Sequence, residues 1–92
     1  MSDAIDAVLN ERGGRYGSFM GHADVTQAYK VLTSGFLEQR KKVLAADQQE
    51  ALDMIFHKIG RIVNGDPDYA DSWVDIAGYA KLVADRLQGV VR

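Results

Sequence analysis

The chain has 92 residues, a formal net charge of −2, and 47% hydrophobic against 26% charged residues. That is the size of a single domain, residues 1–92, whose core is small enough that a homo-oligomer is expected. The absence of cysteine excludes disulfides, thiolate metal ligands and a cysteine nucleophile.

The charge pattern argues against nucleic acid as a partner, because the one basic cluster, Arg40-Lys41-Lys42, has Glu38 beside it. No apolar run approaches the ~20 residues that a membrane span needs. The opening MSDAIDAVLNE lacks the basic-then-apolar order of a signal peptide, so a soluble, cytoplasmic protein is expected.

With one proline and no strand-like alternation, the sequence predicts an all-α fold, a helical bundle of four to five helices. Ser2 is placed to cap a short first helix carrying Ile5, Val8 and Leu9 on one face, ending before Gly13-Gly14. The stretch GGRYGSFMGH then reads as a glycine-rich loop, of the kind that often carries function. A second helix is expected from about Ala23 to Ser34, weakened or ended by Gly35. Residues 36–45 form either its extension or a separate short helix.

The third helix has the strongest pattern. Asp47 precedes Glu50 at capping-box spacing, and Leu52, Ile55, Phe56, Ile59, Ile62 and Val63 follow at helical period. Asn64-Gly65 with Pro67 behind it signals the stop. A fourth helix is expected from residues 68–70 to Leu87, with Trp73, Ile76, Ala77, Ala80, Val83, Ala84 and Leu87 toward the core. The short link makes helices three and four an antiparallel pair.

The polar faces hold the candidate chemistry. At about 100° per residue, Asp71, Asp75, Gly78 and Leu82 share one side of helix four, and Gly78 there suggests close approach of a backbone or ligand. On helix three, Glu50, Asp53, Met54, His57 and Arg61 lie away from the apolar face, with Lys58 at its edge. Glu50, Asp53, Asp71 and Asp75 are thus candidate ligands for Mg²⁺, which takes oxygen donors and keeps waters for a phosphate. Lys58, Arg61 and Arg15 are candidate phosphate-binding residues, and Tyr16 a base-stacking one. The same acids can instead form structural ion pairs with Lys58 or Arg61 between adjacent helices. His22 and His57 have no ligand-type spacing. No Ser-His-Asp pattern, phosphate loop or dinucleotide fingerprint is present.

Two segments carry a resemblance. Glu50-Ala-Leu-Asp53-Met-Ile-Phe-His-Lys58-Ile-Gly-Arg61-Ile, followed after a short link by Asp71-Ser-Trp73-Val-Asp75-Ile-Ala-Gly78-Tyr79-Ala, resembles a family of short uncharacterised phage and prophage proteins, and Arg15-Tyr16-Gly17-Ser-Phe19 resembles its N-terminal motif. The likeness covers roughly residues 7–84. Helices three and four also look like the all-α nucleotide pyrophosphohydrolases of the MazG type. Those enzymes carry a Glu-x-x-Glu helix and a Glu-x-x-Asp helix around Mg²⁺ and cleave nucleoside triphosphates to monophosphate and pyrophosphate. Glu50-x-x-Asp53 matches the first motif with Asp for Glu, and Asp75 matches the last acid of the second. Ser72 stands where the other Glu is expected, with Asp71 one residue before it.

This likeness implies a MazG-like nucleotide pyrophosphohydrolase, or a nucleotide-binding relative, using Mg²⁺. The alternatives are a non-enzymatic phage accessory protein that binds a host protein in the host cytoplasm, and a nucleotide sponge that keeps a basic, aromatic pocket without a metal site.

Overall fold

A computed structural model describes residues 3–92, so a cap from Ser2 lies outside the described residues. Four helices are formed: α1 (Asp3–Tyr16), α2 (Phe19–Gln39), α3 (Ala46–Asn64) and α4 (Ala70–Leu87). No strand occurs among the described residues. The all-α expectation holds, and so does the pairing of α3 with α4. Asp47 at the start of α3 meets Arg86 at the end of α4, while Lys58 further along α3 meets Asp75 nearer the start of α4. The two helices therefore run antiparallel.

α2 lies antiparallel on the other flank of α3. Gly21 sits beside Asn64, Thr26 beside Gly60, and the Tyr29 ring stacks on Phe56 with centroids 5.7 Å apart. α2 and α4 do not pack on each other, so α3 is the middle of an open row rather than one wall of a closed bundle. Ala51 is the only buried apolar residue among those described. The Cα radius of gyration is 15.6 Å, against about 12 Å for a compact domain of this length.

Gly13-Gly14 and Gly35 behave differently from their sequence reading. α1 runs straight through Gly13-Gly14, and Gly17 donates its N–H to the Gly13 carbonyl (3.0 Å) to close the last turn. The reversal is made by Gly17 alone, at φ +79°. Ser18 then caps α2, its Oγ accepting the Gly21 N–H at 3.1 Å. The expected ten-residue loop is thus a two-residue turn, and α2 starts at Phe19 rather than Ala23. Nor does Gly35 end α2. The helix continues until Lys41 takes a left-handed φ of 53°, with the Lys42 N–H reaching back to the Leu37 carbonyl at 2.9 Å.

Asn64-Gly65 does end α3, and the same residues weld the two turns of the molecule together. Asn64 Nδ2 donates to the carbonyls of Tyr16 (2.9 Å) and Ser18 (2.8 Å), and the Asp66 N–H donates to the Arg15 carbonyl (2.8 Å). Gly65 is glycine because any Cβ there would overlap the backbone of Arg15 and Tyr16. At the start of α3 the expected Asp47–Glu50 capping box is not formed. Gln48 supplies the reciprocal bond instead, its Oε1 accepting the Ala45 N–H at 2.9 Å, which leaves Asp47 for Arg86.

On α4 the side facing α3 is centred on Ser72, Ile76, Tyr79 and Val83 rather than on Trp73 and Ala77. Trp73 is 55% exposed. Its indole N–H donates to the Pro67 carbonyl at 2.8 Å, so the ring closes over the α3–α4 turn. Asp75 is correspondingly not on the back of the helix but half-buried beside α3. Beyond its own helix backbone, nothing among the described residues lies within 4 Å of a Cβ built on Gly78, so the close approach expected there is not made by these residues.

These glycines give opposite expectations. A Cβ on Gly60 would lie 2.6 Å from Thr26 Cγ2 and 2.9 Å from the His22 ring, both buried. Gly60→Ala should therefore destabilise by roughly 1–3 kcal/mol despite its better helix propensity. Gly78→Ala meets nothing and should stabilise by about 1 kcal/mol. Paired urea denaturation of the two variants checks both signs.

Candidate functional site

The weld between the turns brings the C-terminal end of α1, the first turn of α2 and the C-terminal half of α3 to one place. There Tyr16 and Tyr69 meet edge to face with centroids 6.1 Å apart. The Arg61 guanidinium lies over the Tyr16 ring at 4.1 Å, and that of Arg15 over the Tyr69 ring at 4.3 Å. Arg15 Nη1 also donates to the Tyr69 hydroxyl at 3.0 Å, and that hydroxyl donates to Asp71 Oδ2 at 2.9 Å. The bond to Asp71 holds the Tyr69 phenol above its ordinary pKa, so it remains a donor at neutral pH. The result is a ladder of two cations on two rings.

Two connected clefts open on this ladder. One, of about 360 Å³, is lined by Val8, Glu11, Arg12, Arg15, Tyr16 and Arg61. The other, of about 490 Å³, shares Arg12, Tyr16 and Arg61 and continues past Leu9, Gly13 and Phe19 to His22 and His57. Arg15 has a long contact with Glu11 at 3.7 Å. Arg12 and Arg61 form no ion pair among the described residues. The first cleft is polar and cationic. The second is walled by apolar and aromatic groups, on the scale of small-ligand sites.

The histidines close the far end. His22 Nε2 and His57 Nδ1 are 3.1 Å apart, with the rings edge to face at 4.5 Å. His22 is buried and its Nδ1 has no hydrogen-bond partner among the described residues. Burial first, then the charges of Arg61, His22, Lys58 and Lys30, push His57 down to about 4. Burial and Arg61 likewise lower His22. Both rings are therefore neutral at pH 7, and a field that suppresses their protonation is one that attracts anions.

Of the sequence candidates, Arg15, Tyr16 and Arg61 are brought together. Lys58 is not with them. It is buried between α3 and α4, its Nζ 3.0 Å from Asp75 Oδ2, and so is already engaged. Among the remaining acids, Asp53 accepts from Gln49 Nε2 at 3.0 Å, Asp71 holds Tyr69, and Glu50 is exposed on α3. Asp75 sits level with Lys58, eight residues along α3 from Glu50, which is about 12 Å of helix rise. Asp71 lies further away again, one turn toward the start of α4. No group of three or more His, Asp or Glu among the described residues is placed to hold a metal ion.

Tyr69 and Arg12 were not singled out by sequence, and His22 and His57 were set aside there for want of ligand-type spacing. Arg12 and Tyr16 are four apart and share a face once α1 is carried through Gly13-Gly14, which was the available signal.

Residues 1–87 match the family described as Domain of unknown function (DUF6378). The chain belongs to this family. No curated protein and no solved structure matches it. The DUF6378 match spans α1 to α4, so the cleft is built entirely from family-matched residues. No helix among the described residues is long and apolar enough to cross a membrane.

Proposed function

We propose that this protein binds a nucleotide, or a closely similar phosphorylated aromatic molecule, in the cleft between α1 and α3 without hydrolysing it. The observation that carries this reading is the arginine–tyrosine ladder with Arg12 and Arg61 unpaired by any carboxylate. Arginine forks match phosphate oxygens bidentately. The adjoining cleft, with Phe19, Leu9 and the two neutral histidine rings, supplies apolar and ring surface for a base. The Arg61 guanidinium already covers one face of Tyr16, so Tyr16 offers its remaining surface rather than a free sandwich.

The spread of the acids supports a binding protein over a pyrophosphohydrolase. It favours the sponge among the MazG-like alternatives, with any Mg²⁺ accompanying the nucleotide rather than being held by Glu50, Asp53, Asp71 and Asp75. A phage origin and a host-cytoplasm setting go with this reading. The accessory-protein alternative, with a host protein as partner, draws on the exposed apolar surface, which we assign instead to a homo-oligomer.

Calorimetric titration with nucleoside mono-, di- and triphosphates, with Mg²⁺ and with a chelator, tests the proposal. Expected is saturable binding that strengthens with phosphate number, survives chelation and yields no product on prolonged incubation. Absence of binding to every nucleotide at millimolar concentration would remove the proposal, and Mg²⁺-dependent release of pyrophosphate would restore the enzyme reading.

A further inference from the structure

We infer that the C-terminal half of α2 is a twofold interface between two copies of this chain, with Gly35 at the axis. The inference rests on the homo-oligomer reading above and names its face; it is independent of what the cleft binds.

The accessible surface is 6651 Å². A folded monomer of 10.1 kDa should expose about 5,300 Å², so the chain leaves about 1,400 Å² more in water than its mass predicts. A stable dimer hides about 800 Å² or more on each partner. The excess is thus of the size that one self-contact removes, and it accompanies the near-absence of a core.

The location follows from the two sides of α2. His22, Thr26, Tyr29, Thr33 and Leu37 recur at helical spacing toward α3, and all are buried or half-buried. On the opposite side Val31, Leu32 and Phe36 are 69%, 58% and 54% exposed. They surround Gly35, where a built Cβ meets nothing within 4 Å beyond its own helix backbone among the described residues, and the resulting groove is lined by α2 alone. A glycine in mid-helix costs about 1 kcal/mol relative to alanine, and nothing inside the chain uses the notch it makes.

Both halves of a self-complementary contact are present on this one patch: a notch at Gly35 and a ridge at Phe36 beside it. A twofold axis through Gly35 brings the two notches face to face, with each Phe36, under its own Arg40 guanidinium at 5.0 Å, packed beside the crossing, the isologous arrangement that most homodimers use. Val31 and Leu32 line the groove one turn before Gly35, and Glu38 and Gln39 line it one turn after, so the twofold sets the apolar turn of one copy against the polar turn of the other.

Sedimentation equilibrium on the full chain, with cysteine cross-linking, tests the inference. The chain has no cysteine of its own, so a single introduced thiol reports one contact. Wild-type protein at tens of micromolar should sediment as a dimer. The double variant Leu32→Asp/Phe36→Asp should sediment as a monomer with its helical circular dichroism retained. Gly35→Cys should oxidise to a covalent dimer in high yield, since two such residues at the axis fall within the reach of a disulfide. Val43→Cys, at a position 96% exposed but off the patch, should not. Should the aspartate variant unfold, the cross-linking pair alone decides. Monomeric wild type at 100 μM would overturn both the oligomer and the face. A wild-type dimer that neither cross-links through Gly35→Cys nor yields to the aspartates would overturn the face alone. Neither result bears on nucleotide binding.

Discussion

Replacing Arg61 with methionine should weaken nucleotide binding by about 10- to 100-fold. The guanidinium sits at the junction of the two clefts, over Tyr16, with no carboxylate competing for it. A hydrogen bond to a charged group contributes about 1.5–3 kcal/mol, which sets the factor. Arg12→Met should act in the same direction, because Arg12 also lines both clefts. Lys58→Met is the informative contrast. Lys58 has the same charge and lies three residues from Arg61, yet it is buried against Asp75. Its loss should leave affinity within about twofold and appear as a stability change of roughly 1 kcal/mol, small because Asp75 retains partial access to water. Calorimetric affinities for the three variants, each checked by circular dichroism, separate a ligand-binding cation from a structural one.

Acidification should destabilise the protein well before its carboxylates titrate. In the folded chain His57 remains neutral down to about pH 4, whereas the unpaired imidazole titrates at 6.5. Between these values the unfolded chain binds more protons than the folded one, so stability rises with pH across the window and is fully present above about 6.5. His22, also lowered, adds to the same slope. The two rings touch, so the window belongs to the pair rather than to either residue. The groups that set it come from both packed helices: Lys58 and Arg61 on α3, Lys30 on α2. Allowing for solvent at a half-buried ring, the loss between pH 7 and pH 4.5 should be about 2 kcal/mol, or on the order of 10 °C in Tm for a domain of this size. Thermal melts at fixed protein concentration measure it, and His57→Gln should flatten the dependence. A bound phosphate should raise both pKa values by opposing the local cations, so nucleotide affinity should gain from acidification only as the pH falls toward the His57 value of about 4.

The elements that the sequence made legible are those whose signals are local. α3 and α4 announce themselves by helical periodicity and by Asn64-Gly65 before Pro67, and the antiparallel pairing follows from the short link. Gly13-Gly14 and Gly35 misled because glycine was read as a breaker, whereas the conformational work is done by Gly17 and Lys41. Trp73 was assigned to the core from its place on the apolar stripe, but a turn carbonyl captures its indole N–H. Arg15, Tyr16 and Arg61 were legible as types suited to phosphate and ring chemistry. Their convergence was not, because it depends on Asn64 and Asp66 docking onto the α1–α2 turn, a contact between residues about 50 apart in sequence. For the carboxylates, motif spacing placed each on a helix, but the axial register of α3 against α4, which Lys58–Asp75 and Asp47–Arg86 fix, is set by tertiary contacts.

Amide chemical-shift mapping during a titration with a nucleoside triphosphate locates the ligand site, for which we propose the α1–α3 cleft. Shifts should concentrate at Arg12, Gly13, Tyr16, Gly17, His22, His57 and Arg61, and Arg61→Met should move the titration to nucleotide concentrations about 10- to 100-fold higher. Shifts centred instead on Glu50 and Asp53, or no shifts at saturating nucleotide, would contradict it.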